Sequence, residues 1–469
     1  MIKVSIRDLI WSYSAQIFSS ASGLITLPLI LKLLSPEEVG MNYLMLSFAS
    51  LVSLLDFGFT PQFSRNITYV FSGAQILKKE GVDISTNKTI NYKLLLNLIY
   101  SARFIYKRLA ILVIVIMSTL GTYYIYYITK GFTKVNYSFL IWCLFSIGTF
   151  FNIYYSYYSS LLLGKGLVME SNKAILFSRI IYVILTFALL YLGLGLLGIV
   201  IANLIAPFVN RYLSHKYFYT PDLLEKLSKF QISKKEKIDL LKIIWFNAKK
   251  IGLVFVGAFA INKLSIFLAG IFLGLTEIAP YGLMIQLFGL ISTFSSIYNG
   301  ILQPRFSSLR AGGDTVTLMK DFAFSMIVYY FLFTIGTIFL LYTGPTILFL
   351  INSSIALPNL SILLLFASII FLEGNHSNFA SLIVTSNNVP FVKSALIAGL
   401  FIGLADYFIL KFTNLGILGL VLVQGLIQLA YANWKWPFEV CLAFRISFLS
   451  FLKLGTKETI VRLKNFVSS

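Results

Sequence analysis

Apolar runs of roughly 20 residues, the length that carries a helix across hydrocarbon, recur along most of the chain. No other feature constrains the fold as strongly. In lipid no water is available to backbone N–H and C=O groups, so each must be satisfied inside its own element, which leaves helices or closed barrels. Barrel strands are short and alternate apolar with polar residues, unlike these runs. Composition agrees: 58% of residues are hydrophobic and 12% charged, against about 25% charged in soluble domains. The sequence predicts an all-α polytopic membrane protein.

Twelve transmembrane helices are expected, near 10–31, 39–59, 109–128, 138–162, 175–193, 195–213, 248–272, 279–302, 322–342, 360–384, 391–410 and 414–433. The first run is longer than a signal-peptide core and reads as an uncleaved span. Of 38 Lys and Arg residues, 33 fall in one alternate set of segments: the N-terminus, 60–108, 163–179, 211–250, 303–320, 385–393 and the C-terminal tail. Lys32, Lys130, Lys134 and Lys411 make up the opposite set, and Lys263 lies inside a span. By the positive-inside rule both termini are expected in the cytosol. The net charge of +20 is mainly this topology signal. No nucleic-acid-binding motif accompanies it, and no nucleic-acid partner is expected. The loop at 211–250 reads as amphipathic helix on anionic lipid, or alternatively as a partner-binding segment. Cys143 and Cys441 lie in apolar segments without disulfide or metal spacing, and read as small buried hydrophobes.

The chain also repeats itself. EVGMNYLM (38–45) matches EIAPYGLM (277–284) at an offset of 239, and PQFSR (61–65) matches PRFSS (304–308) at 243. The second copy therefore gains four residues, about one helical turn. LGLLGIVIANLI (194–205) matches LGILGLVLVQGL (415–426) at 221, which also pairs Asn152 with Glu373, Ser156 with Ser377 and Ser160 with Ser381. Each half then holds six spans in one orientation. Such a parallel repeat predicts two six-helix bundles around a central cavity. The expected organisation is an N-terminal bundle (1–213), a cytoplasmic linker (214–247), a C-terminal bundle (248–434) and a cytoplasmic amphipathic tail (435–469).

Charge inside a span is costly, and it faces a cavity or a partner. Asp56, Glu373, Asp406 and Lys263 qualify. Lys263 reads either as a cavity charge that meets an anion, or as a snorkelling or acid-paired lysine. His376 follows Glu373 by three residues, which places both on one helical face. The pair reads as lumen polarity or H+ or Na+ coupling, or as an interhelix hydrogen bond; Asp406 is open between the same readings, and Asp56 is a further lumen candidate. Asn152 and Asn299 are candidate substrate contacts, and amides in membrane helices also simply bond neighbouring helices. Asp56 and Arg65 stand about 13.5 Å apart along a continuous helix, too far to pair, and Pro61 between them is expected to bend or end that helix. Arg65 and Arg305 close equivalent spans, where they either attract phosphate at an inner entrance or only anchor the span.

No P-loop, HExxH or GxSxG occurs, which argues against ATP-driven transport within this chain and against those hydrolases. No catalytic residue, metal site or cofactor is expected.

LDFGFTPQFSR after a second span resembles the O-antigen and polysaccharide flippases of the multidrug/oligosaccharidyl-lipid/polysaccharide exporter superfamily. So do LEGNHSNFASLIVTSNNVPFVKSAL (372–396), LGLLGIVIANLIAPFVNR (194–211), NLGILGLVLVQGLIQLAYANWKWP (414–437) and FSGAQILKKEGV (71–82). The resemblance implies a flippase for undecaprenyl-diphosphate-linked oligosaccharide in the bacterial cell inner membrane, working by alternating access. It implies membrane lipid around the chain, and a polysaccharide polymerase and chain-length regulator as partners. Basic cavity residues would meet the diphosphate or acidic sugars, for which Lys263 and Arg65 stand in plausible positions. The first-span acid of some drug-exporting relatives is absent, and Gln16 is the most polar long side chain there. The alternatives are a cation-coupled drug or metabolite antiporter of the same fold and a membrane-embedded glycan polymerase.

Overall fold

The computed structural model describes the chain except residues 1–10, 12–17, 19–21, 24, 78–88, 312–313, 386–389 and 468–469. Gln16, half of the expected first span and part of FSGAQILKKEGV lie outside the described residues; 25–33 is helical. Among the described residues there is no strand, and 11 helices are long and apolar enough to cross a membrane. The chain forms two compact units that divide between Val256 and Gly257.

In the first unit, α1 (Pro36–Ser53) opens with a reciprocal cap. The Ser35 hydroxyl accepts the Glu38 N–H at 3.3 Å, and the Glu38 carboxylate accepts the Ser35 N–H at 3.0 Å. Pro36 takes the first helical position, where no N–H is needed. A 3-10 turn (Leu54–Asp56) and two left-handed residues, Phe57 (φ +46°) and Gly58 (φ +72°), separate α1 from α2 (Phe59–Phe71). The chain breaks before Pro61, not at it: the proline sits in the first turn of α2, where its missing donor breaks no bond. The second span thus ends short of residue 59. Then come α3 (Tyr92–Ile116), a π-turn, α4 (Thr122–Ile128), α5 (Ser138–Tyr154), α6 (Tyr157–Lys165), α7 (Val168–Tyr191) and α8 (Gly195–Phe218).

The segment expected as a linker is mostly helical, and its two ends belong to helices that continue into spans. Helix α8 runs on to Phe218, and α9 (Pro221–Ser228) is short. Helix α10 (Lys234–Phe272) begins far ahead of its apolar stretch. Its start is tied down, because Ser233 and Glu236 cap each other at 2.8 and 3.2 Å. Lys93 on α3 pairs with Glu236 at 2.6 Å, and Asn97 donates to its carbonyl at 3.2 Å. The Lys93 ammonium, with the Ser233 donors, holds the Glu236 carboxyl down at about 2.

The second unit continues with α11 (Leu275–Ala311), α12 (Thr315–Leu350), α13 (Leu360–Val384), α14 (Val392–Phe412), α15 (Gly416–Ala430), α16 (Ala432–Ala443) and α17 (Phe448–Val467). The last span exceeds its expected end, since α15 and α16 form one apolar stretch, Gly416–Ala443, broken at Tyr431. The tail helix α17 packs onto the unit: buried Phe451 lies 5.7 Å from the Phe322 ring on α12 and 5.2 Å from Phe379 on α13.

The duplication is visible in local geometry. Gly195 and Gly416, paired by the 221 offset, open α8 and α15 with φ of +52° and +53°. The Ser160 hydroxyl donates to the Thr60 carbonyl at 2.9 Å, while at the equivalent positions Gln303 Nε2 donates to the Ser381 hydroxyl at 2.8 Å. The copies differ where the offset changes. Helix α11 runs unbroken across position 304, whereas the first unit breaks at Phe57 and Gly58.

Gly416→Ala is expected to destabilise by about 1 kcal/mol, the order of the left-handed penalty, because a Cβ there meets no atom within 4 Å. Gly195→Ala should lose more. Its Cβ would stand 2.6 Å from Glu38 Oε1, which accepts the Leu196 N–H at 3.1 Å. Melting temperatures in detergent check this; a larger fall for Gly416→Ala would refute it.

Candidate functional site

Helices α10 and α14 meet through small residues. A side chain added at Gly257 would reach Ala395 at 2.9 Å, one at Gly399 would reach Ala260 at 2.5 Å, and one at Gly403 would reach Leu264 at 2.6 Å. Small residues four apart let membrane helices approach closely, and Ile261, Ile402 and Val423 complete the apolar seam. With that stripe of α10 committed to α14, Asn262 and Lys263 face a different direction. They line a cavity of about 270 Å³ together with Ser292 and Ser296 on α11, Glu373 and Ser377 on α13, and Gln424 on α15. Gln424 Nε2 donates to Glu373 at 3.3 Å. Phe366 and Ile370 supply the apolar wall. One ammonium, one carboxylate, amides and hydroxyls can bind a polar, hydroxyl-rich solute. Among the described residues no group of three His, Cys, Asp or Glu side chains that could hold a metal ion occurs.

The other expected residues fall elsewhere. His376 adjoins Glu373 on α13, but its Nδ1 meets Asn433 Oδ1 on α16 at 2.8 Å. The two side chains stand about 60° apart around the helix, yet Glu373 meets Gln424 and His376 meets Asn433, so they do not form the single constellation that their spacing suggests. Asp406 on α14 is fully buried, and neither carboxylate oxygen makes a hydrogen bond among the described residues. It does not line the Lys263 cavity. Asn299 is buried and ties α11 to α12 through Ser325 at 3.4 Å, while accepting from Gln303 at 3.0 Å. Asp56 accepts the Thr60 N–H at 3.2 Å and the Thr60 hydroxyl at 2.9 Å, and the Tyr106 hydroxyl of α3 also bonds to it. It thereby caps α2 and joins it to α3. Arg65 is exposed on α2 and bonds to Gln62. Arg305 pairs with Asp321 on α12 at 2.7 Å.

Asn152 lines a cavity of about 210 Å³ in the first unit, with Leu46, Ser53 and Asn203. Through the repeat these four positions correspond to Ile285, Ser292, Glu373 and Gln424 of the second-unit cavity. The same pocket is built twice, with an amide in one copy where the other has a carboxylate.

Two functional-looking residues escape a reading by periodicity. Arg211 registers in the sequence only as a positive-inside residue, yet it is buried and donates to Asn152 Oδ1 at 3.0 Å. Asp321, at the edge of a span, receives both Arg305 and Arg462 of α17. Its side chain is 3% exposed, against 58% for Arg305 and 35% for Arg462. The acids at 56 and 321 serve different ends, the first a helix cap and the second a clamp on the tail.

Asp321→Ala should destabilise the second unit by about 2 kcal/mol, less than a fully buried pair because both arginines reach water. It should also speed proteolytic release of α17. Arg305→Ala should change stability by under about 1 kcal/mol. Limited proteolysis followed by intact mass checks both, and an unchanged tail in Asp321→Ala would refute the clamp.

No described protein family matches the chain, and no curated protein is significantly similar to it in sequence. Solved structures are similar in fold. One is a multidrug-resistance MATE family transporter of the MOP superfamily in an inward-facing conformation, with a TM-score of 0.64 at 12% identity, covering 91% of this chain and 96% of that one. Another is the lipid II flippase MurJ in an inward closed conformation, with a TM-score of 0.62 at 14% identity, covering 99% and 93%. An outward-facing MATE family transporter has a TM-score of 0.53 at 14% identity, covering 92% of each chain. The chain therefore shares the fold of MATE multidrug transporters of the MOP superfamily and of the lipid II flippase MurJ.

Proposed function

We propose that this chain is a flippase that moves undecaprenyl-diphosphate-linked oligosaccharide repeat units from the inner to the outer leaflet of the bacterial inner membrane, by alternating access, for O-antigen or another surface polysaccharide. The observation that carries the reading is the second-unit cavity, where Lys263 stands beside amides, hydroxyls and a single acid in the interior of a membrane helix bundle. A diphosphate and its sugars cannot enter hydrocarbon without such a lining, whereas the polyprenyl tail is at home in lipid. Lys263 offers the headgroup a cation, and the amides and serines offer it hydrogen bonds. One protein of the same fold, MurJ, is a lipid II flippase, a precedent for moving a lipid-linked headgroup on this scaffold. The charge asymmetry of the loops supports cytoplasmic termini. A polymerase and a chain-length regulator would take the product. Glu373 and Asp406 are the carboxyls through which H+ or Na+ coupling would act.

The second reading, a cation-coupled antiporter for drugs or small metabolites, is favoured by one observation. Asp406 is a fully buried acid whose oxygens make no hydrogen bond among the described residues, a place for a coupling cation.

Deletion is expected to accumulate a lipid-linked oligosaccharide on the inner leaflet and to remove surface polysaccharide. In the complemented strain, Lys263→Ala should lose polysaccharide at unchanged protein level, and Lys263→Arg should restore part of it. Normal polysaccharide in Lys263→Ala would remove Lys263 from the reading. Drug resistance on expression, with surface glycan unaffected by deletion, would replace the reading with the antiporter.

A further inference from the structure

We propose that the first unit holds a phosphate-type oxyanion site built on Arg211, separate from the Lys263 cavity and independent of the flippase reading. Arg211 lies on α8 and is only 9% exposed. Its Nη2 donates to Asn152, while its Nη1 is buried and has no hydrogen-bond partner among the described residues. The guanidinium faces the rings of Phe208 at 4.3 Å and Tyr155 at 4.8 Å. It forms no ion pair with a described carboxylate. Removing a cation from water is costly, and one hydrogen bond with the ring contacts offsets only part of that cost. The difference is what a bound anion would supply.

The surroundings suit that anion. Arg211 borders a cavity of about 160 Å³ formed by α5, α6, α7 and α8. One water needs only about 10–15 Å³ of such space, so there is room for a larger polar group. Ser156, Ser159, Ser214 and Asn210 line it with hydroxyl and amide groups, and no described Asp or Glu does. A guanidinium with a free N–H, amid hydroxyl donors and without an acid, matches phosphate oxygens. Arg211 lies 16 residues beyond the start of α8, about 24 Å along the helix. That is near the far edge of a hydrocarbon core of about 30 Å, where lipid phosphates reside.

The repeat argues against a purely architectural role. The position equivalent to Arg211 is Ala432, and the position equivalent to Asn152 is Glu373. The second bundle is built without this cation, so the fold does not require it.

The test uses the purified, delipidated full-length chain with two probes, inorganic pyrophosphate and phosphatidylglycerol, read by native mass spectrometry and melting temperature. The wild type should bind at least one of them. Binding of phosphatidylglycerol alone marks a lipid headgroup site, and binding of pyrophosphate marks a site for a diphosphate group. Arg211→Gln should weaken binding by roughly tenfold to a hundredfold, the loss of a charge-assisted hydrogen bond, and Arg211→Lys should fall between. Asn152→Glu keeps the arginine and gives it an internal partner. It should raise the ligand-free melting temperature and abolish probe binding, so a poorly folded Arg211→Gln still leaves a decisive result. Binding of neither probe by the wild type, or equal binding by wild type and Asn152→Glu, overturns the proposal.

Discussion

Backbone hydrogen bonding without water is the constraint on which the rest of this structure depends. It forces the apolar runs into helices, and it makes every helix end a problem, because the first four N–H groups of a helix have no partner within it. Acids solve that problem repeatedly here. Glu38 caps α1 and, with its other oxygen, accepts the Leu196 N–H at the start of α8. Asp56 caps α2 at the break after the second span. Glu236 and Asp314 do the same for α10 and α12. A carboxylate at a helix N-terminus also meets the positive end of the helix dipole. An acid in a greasy segment is thus first a structural device, and Asp56 belongs to that class.

Against that background, the second unit stands out for acids that cap nothing. Glu373 lies in the middle of α13 and Asp406 in the middle of α14. The seam of Gly257, Gly399 and Gly403 brings α10 and α14 together, and it turns Lys263 toward α11 and α13. The cavity follows from glycines as much as from the charged residues that line it.

The duplicated scaffold shows how one architecture takes two chemistries. The helix entries at Gly195 and Gly416 and the ties at Ser160 and Ser381 match between the units. The polar residues at equivalent positions do not, with Asn152 and Arg211 in one unit and Glu373 and Ala432 in the other. Backbone geometry is shared because both copies solve the same packing problem.

Helical class, approximate span positions and the repeat were legible in the sequence, because apolar length and offset register follow from local pattern and the bilayer supplies a fixed thickness. So was the set of costly residues inside spans: Lys263, Glu373 and Asp406 are visible as charges wherever the chain folds. What they face was decided by tertiary packing. Spacing alone placed Glu373 and His376 together, yet Gln424 takes one and Asn433 the other. The break at Phe57 and Gly58, the docking of α17 through Asp321 and the burial of Arg211 were likewise settled by neighbours distant in sequence. Local pattern reports which residues are apolar or charged; which helix each side chain meets depends on how the bundle closes around it.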